Sequence, residues 1–183
     1  MSPSAALAPP TTIWTIGHST RPMEEFLGLL ARARIARVAD VRSFPGSRKY
    51  PQYGKEALSR TLAAHGIGYD WLPALGGRRR VSPDSPNTAW RNASFRGYAD
   101  YMSSPEFSQG LGQVIQLAVA RTAIMCAEAL WWRCHRSMIA DALSVVGIEV
   151  VHIIDAKHNV VHPMTSPARV VGGALTYVAE LRE

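Results

Sequence analysis

The chain has 183 residues, 47% of them hydrophobic and 19% charged. That size and mix suit one globular unit with a full core, and no apolar run approaches the roughly 20 residues that cross a bilayer, which argues against a membrane-spanning protein. The formal net charge of +6 is carried by 17 Arg and 3 Lys; it fits an anionic partner such as phosphate or nucleic acid, and it fits an Arg-biased base composition equally well. The two cysteines, Cys126 and Cys134, follow an N-terminus without the basic start of a secretory signal. A cytoplasmic location is therefore expected, with both cysteines as reduced thiols or ligands rather than a structural disulfide. Residues 1–11, rich in Ala, Pro and Ser, read as a disordered lead-in, and residues 12–183 as a single α/β domain.

Thr12 to Ile16 alternates and is β-branched, which predicts a first strand. Pro22, Glu24 and Glu25 are helix-start residues, and Phe26, Leu27, Leu30 and Ala33 form the apolar face behind them. Arg37 to Val41 is a second strand, followed by a Pro-, Gly-, Ser- and Tyr-rich loop from Ser43 to Gly54. Lys55 to His65 is a helix closed by Gly66. Gly68 to Leu72 is a third strand, and Leu75-Gly76-Gly77 opens a polar loop through Asn92. Within it, Arg78-Arg79-Arg80 is the densest basic cluster and reads as a solvated loop. Ser103 and Glu106 have capping-box spacing before a stripe of Phe107, Leu111, Val114, Ile115 and Ala118. Thr122 to Cys126 is a strand, Ser137 to Val146 an amphipathic helix capped by Gly147, and Glu149 to Ile154 the final strand. A last helix is expected from Gly173 to Leu181. Strands alternating with helices predict an α/β fold: a mostly parallel sheet with helices on both faces, in three Rossmann-like layers.

A parallel sheet gathers the carboxyl ends of its strands on one edge, where α/β proteins bind ligands. That edge would collect Gly17-His18-Ser19, Asp40 and Arg42, Leu75-Gly76-Gly77, Cys126 and Glu128, and His152 or Asp155, with Cys134-His135-Arg136 above them. Asp40 with Arg42, and Glu128 with Arg136, would serve equally as ion pairs that tie loops together. Cys134 precedes a helix and is flanked by Arg133 and Arg136, surroundings that favour a thiolate. Cys126 lies inside a strand and reads as core or supporting residue. Cys126, Cys134 and His135, with His18 across the edge, would suit zinc or iron by ligand type, but lack the paired spacing of a zinc knuckle. Gly76-Gly77 is too short for a dinucleotide fingerprint and there is no Walker loop.

The segments Thr15-Ile16-Gly17-His18-Ser19, Asp40-Val41-Arg42-Ser43-Phe44-Pro45-Gly46-Ser47 and Leu75-Gly76-Gly77 occur in this order. They are followed by Phe95-Arg96-Gly97-Tyr98-Ala99-Asp100-Tyr101-Met102 and by Met125-Cys126-Ala127-Glu128 with Cys134-His135-Arg136. Together they resemble the domain of unknown function 488 family, from about Thr12 to about His162. The resemblance implies an α/β domain whose polar motif residues form a site: His18, Ser19, Asp40, Arg42, Ser43, Ser47, Cys126, Glu128, Cys134, His135 and Arg136. Leu130-Trp131-Trp132 departs from the family pattern, where a proline is usual.

Two functions of different kind follow. In the first, the protein is an enzyme acting on an anionic, nucleotide- or nucleic-acid-derived substrate. Cys134 is its nucleophile or redox thiol and His135 or Glu128 its acid/base. His18, Ser19, Ser43 and Ser47 contact the substrate, Arg42 and Arg136 hold the anion, and Asp40 orients an arginine. In the second, the protein is a non-catalytic module that binds nucleic acid or a nucleotide through arginines and loop aromatics, with salt-sensitive affinity. A metal-binding sensor is a third possibility. The substrate, the cofactor and the oligomeric state stay open at this point.

Overall fold

A computed structural model describes residues 12–179; the expected lead-in over 1–11 lies outside them. In chain order the elements are β1 (Thr12–Gly17), α1 (Met23–Arg32), β2 (Arg37–Asp40), α2 (Lys55–Ala64), β3 (Gly68–Trp71), α3 (Ala93–Tyr101), α4 (Pro105–Leu117), β4 (Thr122–Cys126), α5 (Arg136–Val145), β5 (Glu149–Ile153), β6 (Asn159–Val161), β7 (Arg169–Val171) and β8 (Ala174–Thr176). The main sheet has the order β3-β2-β4-β1-β5-β6. Its first five strands are parallel and β6 is antiparallel at the edge. The α/β, mostly parallel, three-layer architecture expected from the sequence is the one observed.

The period-2 alternation of the strands builds two apolar layers. Ile16, Val38, Ala123 and Met125 face a layer holding Phe26, Leu30, Leu58 and Leu62 of α1 and α2. Ile13, Ala39, Ile124 and Val150 face the other, with Tyr98, Phe107, Val114, Met138 and Leu143 of α3, α4 and α5. Such strands, buried on both faces, carry almost unbroken apolar runs; every residue of β4 is buried.

The chain leaves β1 and β2 toward one face and leaves β3 and β4 toward the other. Strand β4 lies between β1 and β2, so the connections diverge on both sides of its carboxyl end. That divergence opens a crevice. The loop after β4 closes tightly on β1: His18 N donates to Cys126 O (3.0 Å) and Ser19 N to Ala127 O (2.9 Å). A Cβ on Gly17 would stand 1.9 Å from Glu128 O. Gly17→Ala must therefore push the Glu128 loop off the sheet, at an expected 1–3 kcal/mol or more by the usual scale of overpacking. The fall in urea midpoint measures it, and an unchanged midpoint would show that the loop yields freely.

Four expectations are corrected. Helix α3 fills a stretch that the sequence reading left without an element; Asn92 Oδ1 caps it, accepting from Ser94 N (2.8 Å) and Phe95 N (3.3 Å). Helix α4 is capped by Ser104, whose Oγ accepts from Phe107 N (3.2 Å), and not by Ser103, whose hydroxyl donates to Asp100 O. Strand β5 is not the last in the sheet, since β6 pairs with it. The helix expected from Gly173 is a hairpin: Val171 pairs with Ala174 across Gly172 (φ 58°) and Gly173 (φ 81°), the two positive-φ positions of a tight β-turn. Leu181 lies outside the described residues.

Candidate functional site

The carboxyl ends of β1, β2 and β4 open into a cleft of ≈ 780 Å³. Of the ten residues singled out for catalysis or binding, His18, Ser19, Arg42, Ser47, Glu128, Cys134 and His135 line it. Asp40, Ser43 and Arg136 do not; they stand behind the wall and hold it.

Cys134 sits on the cleft floor between a single 3-10 turn, Trp131–Arg133, and the start of α5, and is 5% exposed. The Arg136 backbone N–H, in the first turn of α5, points at the Cys134 Sγ from 3.5 Å. Arg136 Nε also donates to Sγ, at 3.4 Å. His135 Nε2 stands 3.1 Å from Val41 O. A carbonyl only accepts, so Nε2 carries a proton, and in the neutral ring Nδ1 is left as a base 3.6 Å from Sγ. Gly77 passes over this ring, since a Cβ there would lie 3.0 Å from His135 Nδ1. Burial works against ionisation of Cys134. The hydrogen bond from the Cys126 thiol and the His135 and Arg136 charges outweigh it and hold Cys134 well below the ordinary thiol range. Cys126 moves the other way, pushed well up by its bond to Cys134 and by burial.

Arg136 is 1% exposed. Its remaining donors go to Thr15 Oγ1 (3.4 Å), Ala129 O (3.4 Å) and Glu128 O. Among the described residues it forms no ion pair with a carboxylate. The expected Glu128–Arg136 ion pair is thus replaced by a contact to the Glu128 backbone carbonyl. The Glu128 carboxylate is exposed on the rim and accepts from Leu130 N (3.3 Å).

The opposite wall rests on Asp40 and Arg42. Asp40, fully buried, takes Arg42 Nε (2.9 Å), Arg42 Nη2 (2.6 Å) and the Tyr69 hydroxyl (2.6 Å). Burial opposes the Arg42 charge, but the Asp40 carboxylate more than offsets it. The expected Asp40–Arg42 ion pair therefore exists, as a buried fork. Arg42 Nη1 reaches His18 Nε2 at 3.3 Å, while His18 Nδ1 donates to Ser19 O (2.9 Å). His18 stacks on Tyr53, with centroids 4.1 Å apart. Burial, with a smaller contribution from Arg42, lowers its pKa to about 4, so the ring is neutral near pH 7. Ser43 donates to Gly77 O (3.0 Å) and Ser47 accepts from Tyr50 N (2.8 Å), so both shape the loops around the cleft.

Cys126, which the family resemblance placed in the site, lines the cleft too; Lys49, Phe44, Phe95, Tyr98 and Arg133 were not among the expected site residues, yet all line it. The loop after β2 and the Phe95 to Met102 segment were the available signals for four of them. Cys126 Sγ, Cys134 Sγ and a His135 ring nitrogen lie within 4.8 Å of one another, a donor set suited to a soft metal. His18, expected as a fourth member, has both ring nitrogens engaged with Ser19 and Arg42.

The arrangement defines an α/β protein with a thiol and an imidazole on the floor of a basic crevice, at the point where the strand connections diverge. Residues 22–143 match the family described as Domain of unknown function DUF488, and the chain belongs to that family. Comparison with curated proteins and with solved structures gives no match. No helix among the described residues is long and apolar enough to cross a membrane.

Proposed function

We propose that this protein is an enzyme in which Cys134, as a thiolate, attacks an anionic, nucleotide- or nucleic-acid-derived substrate. His135 Nδ1 takes the thiol proton and returns it to the leaving group. The observation that carries this reading is the Arg136 guanidinium. It is almost completely buried, forms no carboxylate ion pair among the described residues, and directs Nε at Cys134 Sγ from 3.4 Å. A buried cation without a counter-ion is strongly unfavourable, and a Cys134 thiolate supplies one.

The cleft supports the substrate class. Arg42, Lys49, Arg78 and Arg133 line it against the single acid Glu128. Phe44, 71% exposed, stands at its mouth with Arg78 5.5 Å from its ring, an open face for a planar base. Glu128, on the rim, faces solvent and fits a proton exchange with the leaving group rather than activation of the thiol. A module that only bound nucleic acid through surface arginines would have no use for a thiolate held on the cleft floor. Two unpaired thiols so close together fit a reducing compartment, which is where the reading places the protein.

The test is the pH dependence of Cys134 alkylation by iodoacetamide in a Cys126→Ala background. Reactivity is expected to rise with a midpoint well below the ordinary thiol value of about 8.5. A midpoint in the ordinary range removes the nucleophile. Reaction only after chelation would put a soft metal on the thiols instead and turn the reading toward a sensor.

A further inference from the structure

A chain of buried polar groups runs from the cleft floor through the core and into the C-terminal segment. Asp141, on α5, accepts from His162 Nε2 (2.8 Å), Thr165 N (2.9 Å), Thr165 Oγ1 (2.6 Å) and the Tyr177 hydroxyl (2.8 Å). The Asp141 side chain is fully buried, and its two oxygens can accept from all four partners. His162 Nδ1 faces His152 Nε2 at 2.9 Å, and His152 Nδ1 faces Thr15 Oγ1 at 2.6 Å. Thr15 Oγ1 in turn faces Arg136 Nη1 (3.4 Å), and Arg136 Nε faces Cys134 Sγ (3.4 Å).

One polarity satisfies every member. Arg136 has donors only, so Thr15 accepts from it and gives its own hydroxyl proton to His152 Nδ1. His152 then donates from Nε2 to His162 Nδ1, and His162 donates from Nε2 to Asp141. The reverse polarity leaves the Thr15 hydroxyl, at 0% exposure, without an acceptor for its hydrogen. Trp131 holds the middle of the chain: its ring stacks on His152 at 4.3 Å and meets His162 edge-on at 5.3 Å. The side chains of His162 and Asp141 are both fully buried.

We propose that Thr15, His152, His162 and Asp141 are positioning residues that fix the Arg136 guanidinium against the Cys134 thiolate. The proposal rests on the thiolate reading above. Of the four, Asp141 alone falls within the family-matched residues 22–143. The C-terminal segment therefore contributes directly to the order of the site. Besides Arg136, the groups that face Cys134 are His135, Cys126 and Tyr98.

The experiment is iodoacetamide alkylation of Cys134 against pH in the full chain, again with Cys126→Ala, comparing Thr15→Val, Thr15→Ser and Asp141→Asn. Thr15→Val keeps the β-branched shape that strand β1 needs and removes the acceptor. It is expected to raise the reactivity midpoint by about one pH unit, which is an about tenfold slower reaction at any pH well below both midpoints. Asp141→Asn should act in the same direction and Thr15→Ser should retain the parent profile. Imidazole ¹⁵N spectra of the parent are expected to show His152 and His162 both protonated at Nε2. A low parent midpoint that neither Thr15→Val nor Asp141→Asn moves, with far-UV circular dichroism unchanged, overturns the positioning role while leaving the thiolate in place. An ordinary parent midpoint overturns both. The opposite tautomer at His152 overturns the polarity on which the chain depends.

Discussion

Cys134→Ala is expected to destabilise the fold by about 3–5 kcal/mol, the range for stranding one member of a buried ion pair. Adding Arg136→Met is expected to restore roughly 2 kcal/mol of that loss. The reasoning starts from burial: Arg136 is 1% exposed, and among the described residues its nearest anionic candidate is the Cys134 sulfur. Removing the sulfur leaves a guanidinium deep in the protein with only neutral acceptors at Thr15, Glu128 O and Ala129 O. Met, of similar length, fills the same volume without charge. Full recovery is not expected, because those oxygens lose their donor, at about 1–3 kcal/mol for a buried unsatisfied group. Urea denaturation of the parent, both single variants and the double variant closes the cycle. A coupling near zero would mean that the thiol is neutral and the contact incidental. Arg136→Lys gives the intermediate case, since an ammonium keeps the charge but cannot serve Sγ, Thr15 and the two carbonyls with one planar fork.

The part of this site legible in the sequence is the part that topology alone determines. Once the alternation of strands and helices implies a parallel sheet, Gly17-His18, Asp40-Val41-Arg42 and Cys126-Ala127-Glu128 must come to one edge, and they do. Topology does not say which side chains face the opening. Asp40 and Arg42 are two residues apart, yet Asp40 is sealed beneath Tyr69 and Arg42 reaches the cleft. Arg136 looked like an anion clamp, but it points inward, where its donors meet Cys134 Sγ, Thr15 Oγ1 and the carbonyls of Glu128 and Ala129. Cys126 reads as core because it shares the parity of Ile124 on β4. It packs there, and as the last residue of the strand it also reaches the cleft.

Helix α3 escaped notice because Gly97 and the polar Ser94, Arg96 and Asp100 dilute its apolar stripe; Asn92 was the overlooked cap. The polar relay was invisible for a different reason. Its members come from β1, α5, β5 and the C-terminal segment, and the sequence carries no mark that Thr15 meets His152, or that His162 meets Asp141.

The protein is expected to lose stability steeply on acidification from pH 6.5 toward pH 4. Burial lowers the pKa of His18 to about 4 and that of His152 to about 2, with Arg42 opposing a charge on His18, and His162 and Arg136 opposing one on His152. In the unfolded chain both titrate near 6.5. Between those values the unfolded state binds protons that the folded state refuses, so stability rises with pH there and falls as pH drops. The full contribution is present above pH 6.5. His18 loses its share by about pH 4, whereas His152 continues to lose below it. Each ring removes about 3 kcal/mol by pH 4 at 1.36 kcal/mol per pH unit, and together they rival the whole stability of a typical domain. Urea midpoints at pH 7, 6, 5 and 4 measure the slope, and a flat profile would show that both rings ionise in place. His18→Gln should lower stability at pH 7, because Arg42 Nη1 loses its acceptor and Tyr53 its stacking partner, yet it should shed about half of the pH dependence. That reduced slope separates titration of His18 from general acid damage. A neutral His18 also keeps an acceptor beside Arg42 Nη1, where a second cation 3.3 Å away would repel the guanidinium.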